Sequence, residues 1–173
     1  NKGLEVIEAS WLFDVSASRI DVVVHRQSVI HSMVRLRDGS VLAQMGKPDM
    51  MMPIEVALYF PERGTRLSAP FDPFADYASQ LTFEKFDPDV FIALPLAYHA
   101  SEVGGSLPAV MNSANEEAVN AFMCGKTSFP GITRLVASCM TEHERLGVFS
   151  VHSVEDVIEA DRWARQFVCE NLN

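Results

Sequence analysis

The chain has 173 residues with 14 basic and 23 acidic side chains, a formal net charge of −9 and 48% apolar residues. This supports one compact domain or two small ones, and it excludes both a disordered chain and nucleic acid as a main partner, since phosphate recognition needs clustered Lys and Arg. No run reaches the ~18–20 apolar residues of a membrane span; the most apolar stretch, 90–98, is short and holds Pro95.

The first element is a helix over 2–13, with Asn1 as its N-cap and Leu4, Ile7 and Trp11 as its core face. The chain opens directly on this helix, with no initiator Met, lead-in or signal peptide, which points to a piece of a longer protein. Residues 20–25 read as a short buried strand. Residues 28–37 and 40–46 form a hairpin, closed at Asp38-Gly39 by a two-residue type I′ turn. That turn puts Ile30, Val34, Leu36, Val41, Ala43 and Met45 on a core face and His31, Met33, Arg35, Leu42 and Gln44 on a mixed one. Asp49 caps a helix over 50–60 that tolerates Pro53 in its first turn. Pro61, Gly64, Pro70 and Pro73 mark a linker, and 81–86 reads as one more strand. Helices follow near 89–103, 107–124, 130–144 and 154–171, separated by glycines, with Ser153 opening the last in a capping signature. The fold class is therefore α/β in the α+β sense: a sheet-and-helix part over 1–60, a linker over 61–88 and a helical bundle over 89–173.

Cys124, Cys139 and Cys169 form no CxxC pair and no zinc pattern, and read as small apolar residues in a reducing compartment. The chemistry concentrates at the first helix. Asn1 and Lys2 stand at its N-terminus, where free backbone N–H groups and the helix dipole favour an anion. Gly3 lets a ligand approach the backbone, and Glu5 presents a carboxylate to a hard cation. A plainer account is the commoner one for such spacing: a cap, a solvated lysine and an acid favoured by the dipole. His31 has no carboxylate partner in sequence and reads as a hydrogen-bonded structural residue or as part of a site. Met50, Met51 and Met52 suit either packing on a flat ring or gap filling. The polar stretch 112–117 inside an apolar helix points to hydrogen bonds with a neighbouring domain.

Asn1-Lys-Gly-Leu-Glu5, Trp11-Leu-Phe13, Gln27-Ser-Val-Ile-His-Ser-Met-Val34, Asp38-Gly-Ser-Val41, Ala43-Gln-Met-Gly46 and Pro48-Asp-Met50 follow one another in order. With Asn112-Ser-Ala-Asn-Glu116 and the helical tail, they closely resemble the 1-deoxy-D-xylulose 5-phosphate reductoisomerase family over essentially the whole chain. The resemblance implies an enzyme that rearranges this sugar phosphate and reduces the product with NADPH to 2-C-methyl-D-erythritol 4-phosphate. It also implies a need for Mg²⁺ or Mn²⁺, a homodimer, and a place in the non-mevalonate route to isoprenoids. Bacterial cytoplasm is the location implied, or a plastid-type organelle in a eukaryote.

The family order is a Rossmann NADPH domain, a catalytic and dimerisation domain, a connecting segment and a helical domain. This chain matches only the later part and carries no GxGxxG after a strand. By the resemblance, Asn1, Lys2 and Glu5 bind substrate. Lys2, Glu5 and His31 serve the reaction, Glu5 is also a metal ligand, and Met50 packs near the nicotinamide of the cofactor. The family's usual His-Pro-Gln stands here as His25-Arg26-Gln27. Two other readings remain: a folded, dimerising module inactive by itself, and a stand-alone binder of metal and sugar phosphate.

Overall fold

A computed structural model describes residues 1–65 and 69–172. Among them the elements run α1 (Lys2–Leu12), β1 (Val23–Val24), β2 (Ile30–Arg35), β3 (Val41–Met45), α2 (Met51–Tyr59), β4 (Glu84–Lys85), α3 (Ala93–Val103), α4 (Leu107–Met123), α5 (Phe129–Leu146) and α6 (Val154–Glu170). They form two units: Asn1–Val22 with Asp87–Asn173, and Val23–Phe86. By packing, then, α1 groups with the later helices, whereas composition had grouped it with the hairpin. The second unit carries as many basic as acidic side chains, so the whole net charge of −9 resides on the helical unit.

In the helical unit α4 is central and packs on α3, α5 and α6. Its buried positions Leu107, Val110, Met111, Ala114, Ala118 and Ala121 follow helical spacing. The alanines among them let neighbouring helices approach closely, and Val136, Cys139, Met140, Ala160, Ala164 and Val168 complete the core. Each fully buried Leu, Val or Met contributes ~1.5–3 kcal/mol relative to exposure. Ser128 caps α5, and Ser153 with Asp156 forms a reciprocal capping box on α6.

The core face of α1 differs from expectation. Gly3 and Val6 are buried, Ile7 packs against the core, and Trp11 is 80% exposed. The cause is a close approach: a Cβ on Gly3 would stand 2.8 Å from Ala97 Cβ and 3.0 Å from the Ala93 carbonyl oxygen. Close packing on α3 turns the face of Gly3, Val6, Ile7 and Ser10 inward and leaves Trp11, Leu12 and Phe13 outside. The polar stretch 112–117 also differs, because its partners lie on α6 of the same unit. Ser113 donates to Asp161 at 2.6 Å, and Arg165 joins Asp161 to Glu116.

In the second unit the expected strand over 20–25 shortens to Val23–Val24, which pairs antiparallel with Glu84–Lys85. The hairpin of β2 and β3 forms, but its turn is a different one. Leu36 C=O accepts from Gly39 N–H at 3.1 Å, and Leu36 N–H donates to Ser40 C=O at 2.8 Å. Gly39 has φ 89°, while Asp38 has no positive φ. The loop is thus the three residues Arg37, Asp38 and Gly39, and not a type I′ pair. Asp38 Oδ1 holds it by accepting from Ser40 N–H at 2.9 Å and from Ser40 Oγ at 2.6 Å.

The extra loop residue shifts the register by one. Met33 lies opposite Ala43, Val34 opposite Leu42 and Arg35 opposite Val41. Met33, Arg35, Val41 and Ala43 therefore share one face, with Val34 and Leu42 on the other. A one-residue change sends a strand's side chains to the opposite face, so the expected core face does not form. Apolar side chains stand on both faces, and Val34, Val41 and Leu42 are all at least half exposed. The helix α2 matches its expected span, with Asp49 Oδ1 accepting from Met51 N–H at 2.9 Å.

Candidate functional site

The first turn of α1 is built around Glu5. Asn1 occupies the N-cap position but makes no side-chain capping bond. Its Nδ2 donates instead to Glu5 Oε1 at 2.5 Å, and Lys2 Nζ donates to Glu5 Oε2 at 2.6 Å. Gly3, between them, is the residue pressed onto α3, so the turn is seated on the helical unit while Lys2 and Glu5 remain 63% and 43% exposed. The result is an open array of one amide, one ammonium and one carboxylate beside backbone N–H groups at a helix start.

A carboxylate is the donor that Mg²⁺ prefers, and Glu5 therefore fits as one ligand. Among the described residues no group of three His, Cys, Asp or Glu side chains is placed to hold a metal ion. To hold a cation, Glu5 Oε2 would have to give up Lys2.

The other two expected residues lie on the second unit. His31 is exposed, and its Nδ1 is 3.1 Å from Gln44 Oε1. A bulge between Ile30 and Ser32 keeps this cross-strand pair in reach despite the shifted register. Met50 stands at the start of α2 and is 68% exposed. Gly46 governs the space nearby, since a Cβ there would come within 3.1 Å of Met52 Cε and 4.0 Å of His31 Cε1. In the sequence Gly46 is only the end of a strand run and of one motif; its place directly after an alternating strand and before Pro48 is the signal for a close approach there. A cleft of about 240 Å³ beside it is lined in part by Lys47, Asp49, Met52, Glu55 and Arg63. Asn1, Lys2 and Glu5 thus gather in one turn, while His31 and Met50 belong to the other unit.

A family model described as the DXP reductoisomerase C-terminal domain matches residues 45–167. The chain belongs to that family. A 1-deoxy-D-xylulose 5-phosphate reductoisomerase of Citrifermentans bemidjiense is 51% identical over 172 residues, which is 99% of this chain and 43% of that protein. The reductoisomerase of Bacillus pumilus is 45% identical over 97% of this chain and 43% of its own length. Among solved structures, the reductoisomerase of Zymomonas mobilis in complex with NADPH superimposes with a TM-score of 0.91 at 40% identity, over 100% of this chain and 44% of that one. A reductoisomerase in complex with NADPH, fosmidomycin and magnesium superimposes with a TM-score of 0.92 at 36% identity, over 99% of this chain and 43% of its own. The chain therefore spans less than half the length of these DXP reductoisomerases; the family model's match begins after Asn1, Lys2, Glu5 and His31, whereas the relatives align over nearly the whole chain.

Proposed function

We propose that this chain forms part of an NADPH- and divalent-metal-dependent enzyme that converts 1-deoxy-D-xylulose 5-phosphate to 2-C-methyl-D-erythritol 4-phosphate as a homodimer. The observation that carries this reading is the Asn1–Glu5–Lys2 array at a helix start, in a chain of the DXP reductoisomerase family. The metal, when bound, acts as a Lewis acid on the substrate's oxygens. Glu5 supplies it one negatively charged oxygen ligand. Lys2, once off Glu5 Oε2, places its ammonium on the anionic or hydroxyl oxygens of the sugar phosphate. Asn1 orients Glu5 through Oε1 and offers its amide to the same ligand. Binding energy at these groups, away from the reacting carbons, serves to position the substrate. On the other unit, Met50 presents a polarizable thioether to the flat nicotinamide, and His31 supplies an imidazole held by Gln44.

Because the relatives are more than twice as long, the test is a chimera. The part of the Citrifermentans bemidjiense reductoisomerase that precedes the aligned stretch is fused to this chain. We expect NADPH oxidation that depends on both the deoxyxylulose phosphate and Mg²⁺, and none from the 173-residue chain alone. A chimera that melts cooperatively and binds NADPH but does not turn over would overturn the reading.

A further inference from the structure

We propose that Ser106 and His143 form a proton-operated latch that fastens the α5–α6 connection onto the start of α4. Both residues are buried, and Ser106 Oγ lies 2.7 Å from His143 Nε2. The same hydroxyl accepts from Phe149 N–H at 3.2 Å, and Ser106 N–H donates to Phe149 C=O at 2.9 Å. One serine therefore holds both backbone groups of Phe149. Gly105 brings the segments together, since a Cβ on it would lie 2.6 Å from that same Phe149 carbonyl oxygen.

The direction of the bonds sets the chemistry. Burial favours the neutral ring, and we assign the serine's own proton to His143 Nε2 while Ser106 Oγ accepts from Phe149 N–H. This leaves the ring's own proton on Nδ1. The ring is enclosed by Phe149, at 5.8 Å between centroids, and by Trp163 of α6 at 4.9 Å. Of the groups that face it, Ser106 of α4, Phe149 and Trp163 carry no charge. On its own helix Glu144 follows it and favours the protonated ring, but that carboxylate is paired with His99 of α3 at 2.8 Å. Burial outweighs Glu144 and holds His143 below the ordinary histidine value of 6.5.

A proton on Nε2 turns the acceptor into a donor. Ser106 Oγ can then accept from both the ring and Phe149 N–H, but its own proton loses its acceptor in a buried site, and that cost weakens the closed arrangement that holds Phe149. The latch is thus closed above pH 6.5 and opens as the pH falls below it.

The test is amide hydrogen exchange on the full 173-residue chain between pH 7.5 and 5, corrected for intrinsic rates, with the His143 ring followed by NMR. We expect Phe149 protection to fall about tenfold per pH unit below 6.5, the slope for one extra proton in the open form, while Ala114 in mid-α4 stays protected. Ser106→Ala should leave Phe149 unprotected throughout with no pH step, and His143→Gln should abolish the step. His99→Gln should leave it in place. Flat Phe149 protection in the folded parent would overturn the proposal. So would a step that disappears with His99→Gln and persists in His143→Gln. If His143→Gln does not fold, the Ser106→Ala and His99→Gln arms decide between these results.

Discussion

Lys2 and Glu5 face each other across three residues of one exposed helical turn, Nζ to Oε2 at 2.6 Å, while Asn1 takes the other carboxylate oxygen. Such a solvent-facing pair is worth ~0–1 kcal/mol to folding. Glu5→Gln keeps the side chain's size and helix propensity, so the thermal midpoint of the chain should move by no more than about 4 °C. In the active chimera the same substitution removes the charge proposed to hold the metal. Turnover should fall by at least ~10–100-fold, the range seen even for groups that only support metal ligands. Retained turnover at ordinary Mg²⁺ would leave Glu5 a helix-start acid and nothing more.

Gly3 should show the opposite pattern. Its missing side chain permits the approach of α1 to Ala93 and Ala97. Gly3→Ala gains helix propensity worth ~1 kcal/mol, but overpacking of this kind costs typically ~1–3 kcal/mol. The neighbours are a backbone oxygen and a Cβ, which cannot swing away. We therefore expect a net loss, read as a lower midpoint in thermal unfolding. A midpoint at or above the parent's would mean that α1 can slide on α3.

The three cysteines should separate by reactivity. Cys139 is buried in the α5 core face, and burial pushes its thiol up to about 12. Cys124 and Cys169 are exposed, and for Cys169 desolvation and Glu117 both raise the thiol above its ordinary value. Near neutral pH a disulfide reagent should label Cys124 first, Cys169 more slowly and Cys139 only after denaturant, because the thiolate is the reacting species. Counting labelled sites by peptide mass against time checks the order.

Arg26 lies in the short segment between β1 and β2. Ser28 N–H donates to His25 C=O at 3.1 Å, which makes Arg26 the second residue of a tight turn, the position that favours proline. Its guanidinium grips Glu84 through two bonds, at 2.7 and 3.1 Å, but the side chains are 71% and 47% exposed. Arg26→Pro loses that pair and gains ~0.4–1 kcal/mol from a stiffer unfolded chain. We expect an unchanged or slightly raised thermal midpoint, and a clear drop would show the ion pair to be the stronger of the two.

Much of the helical unit was legible in the sequence. The glycines at 104, 105, 125 and 147 and the capping residue Ser153 marked helix ends within a few residues. What failed depended on contacts that period alone does not encode. Trp11 fits a 3.6-residue face, yet Gly3 set the angle at which α1 docks. Asp38-Gly39 fits a two-residue turn, yet Asp38 used its carboxylate on Ser40 and recruited Arg37 into the loop. The Asn1–Lys2–Glu5 cluster followed from spacing along one turn. Gly46 did not, because its role is to admit Met52 and His31, which are brought near only by folding.

The uneven distribution of charge between the two units has a practical consequence in solution. Mutual repulsion between molecules rests on the helical unit, while the hairpin unit, with no net charge and apolar groups on both strand faces, adds none. Acidification that neutralises carboxylates on the helices therefore removes the colloidal protection of the whole chain at once. High salt screens the same charges. Purification should be gentlest at neutral pH and modest ionic strength, and losses in acid or brine should begin with association through the hairpin strands.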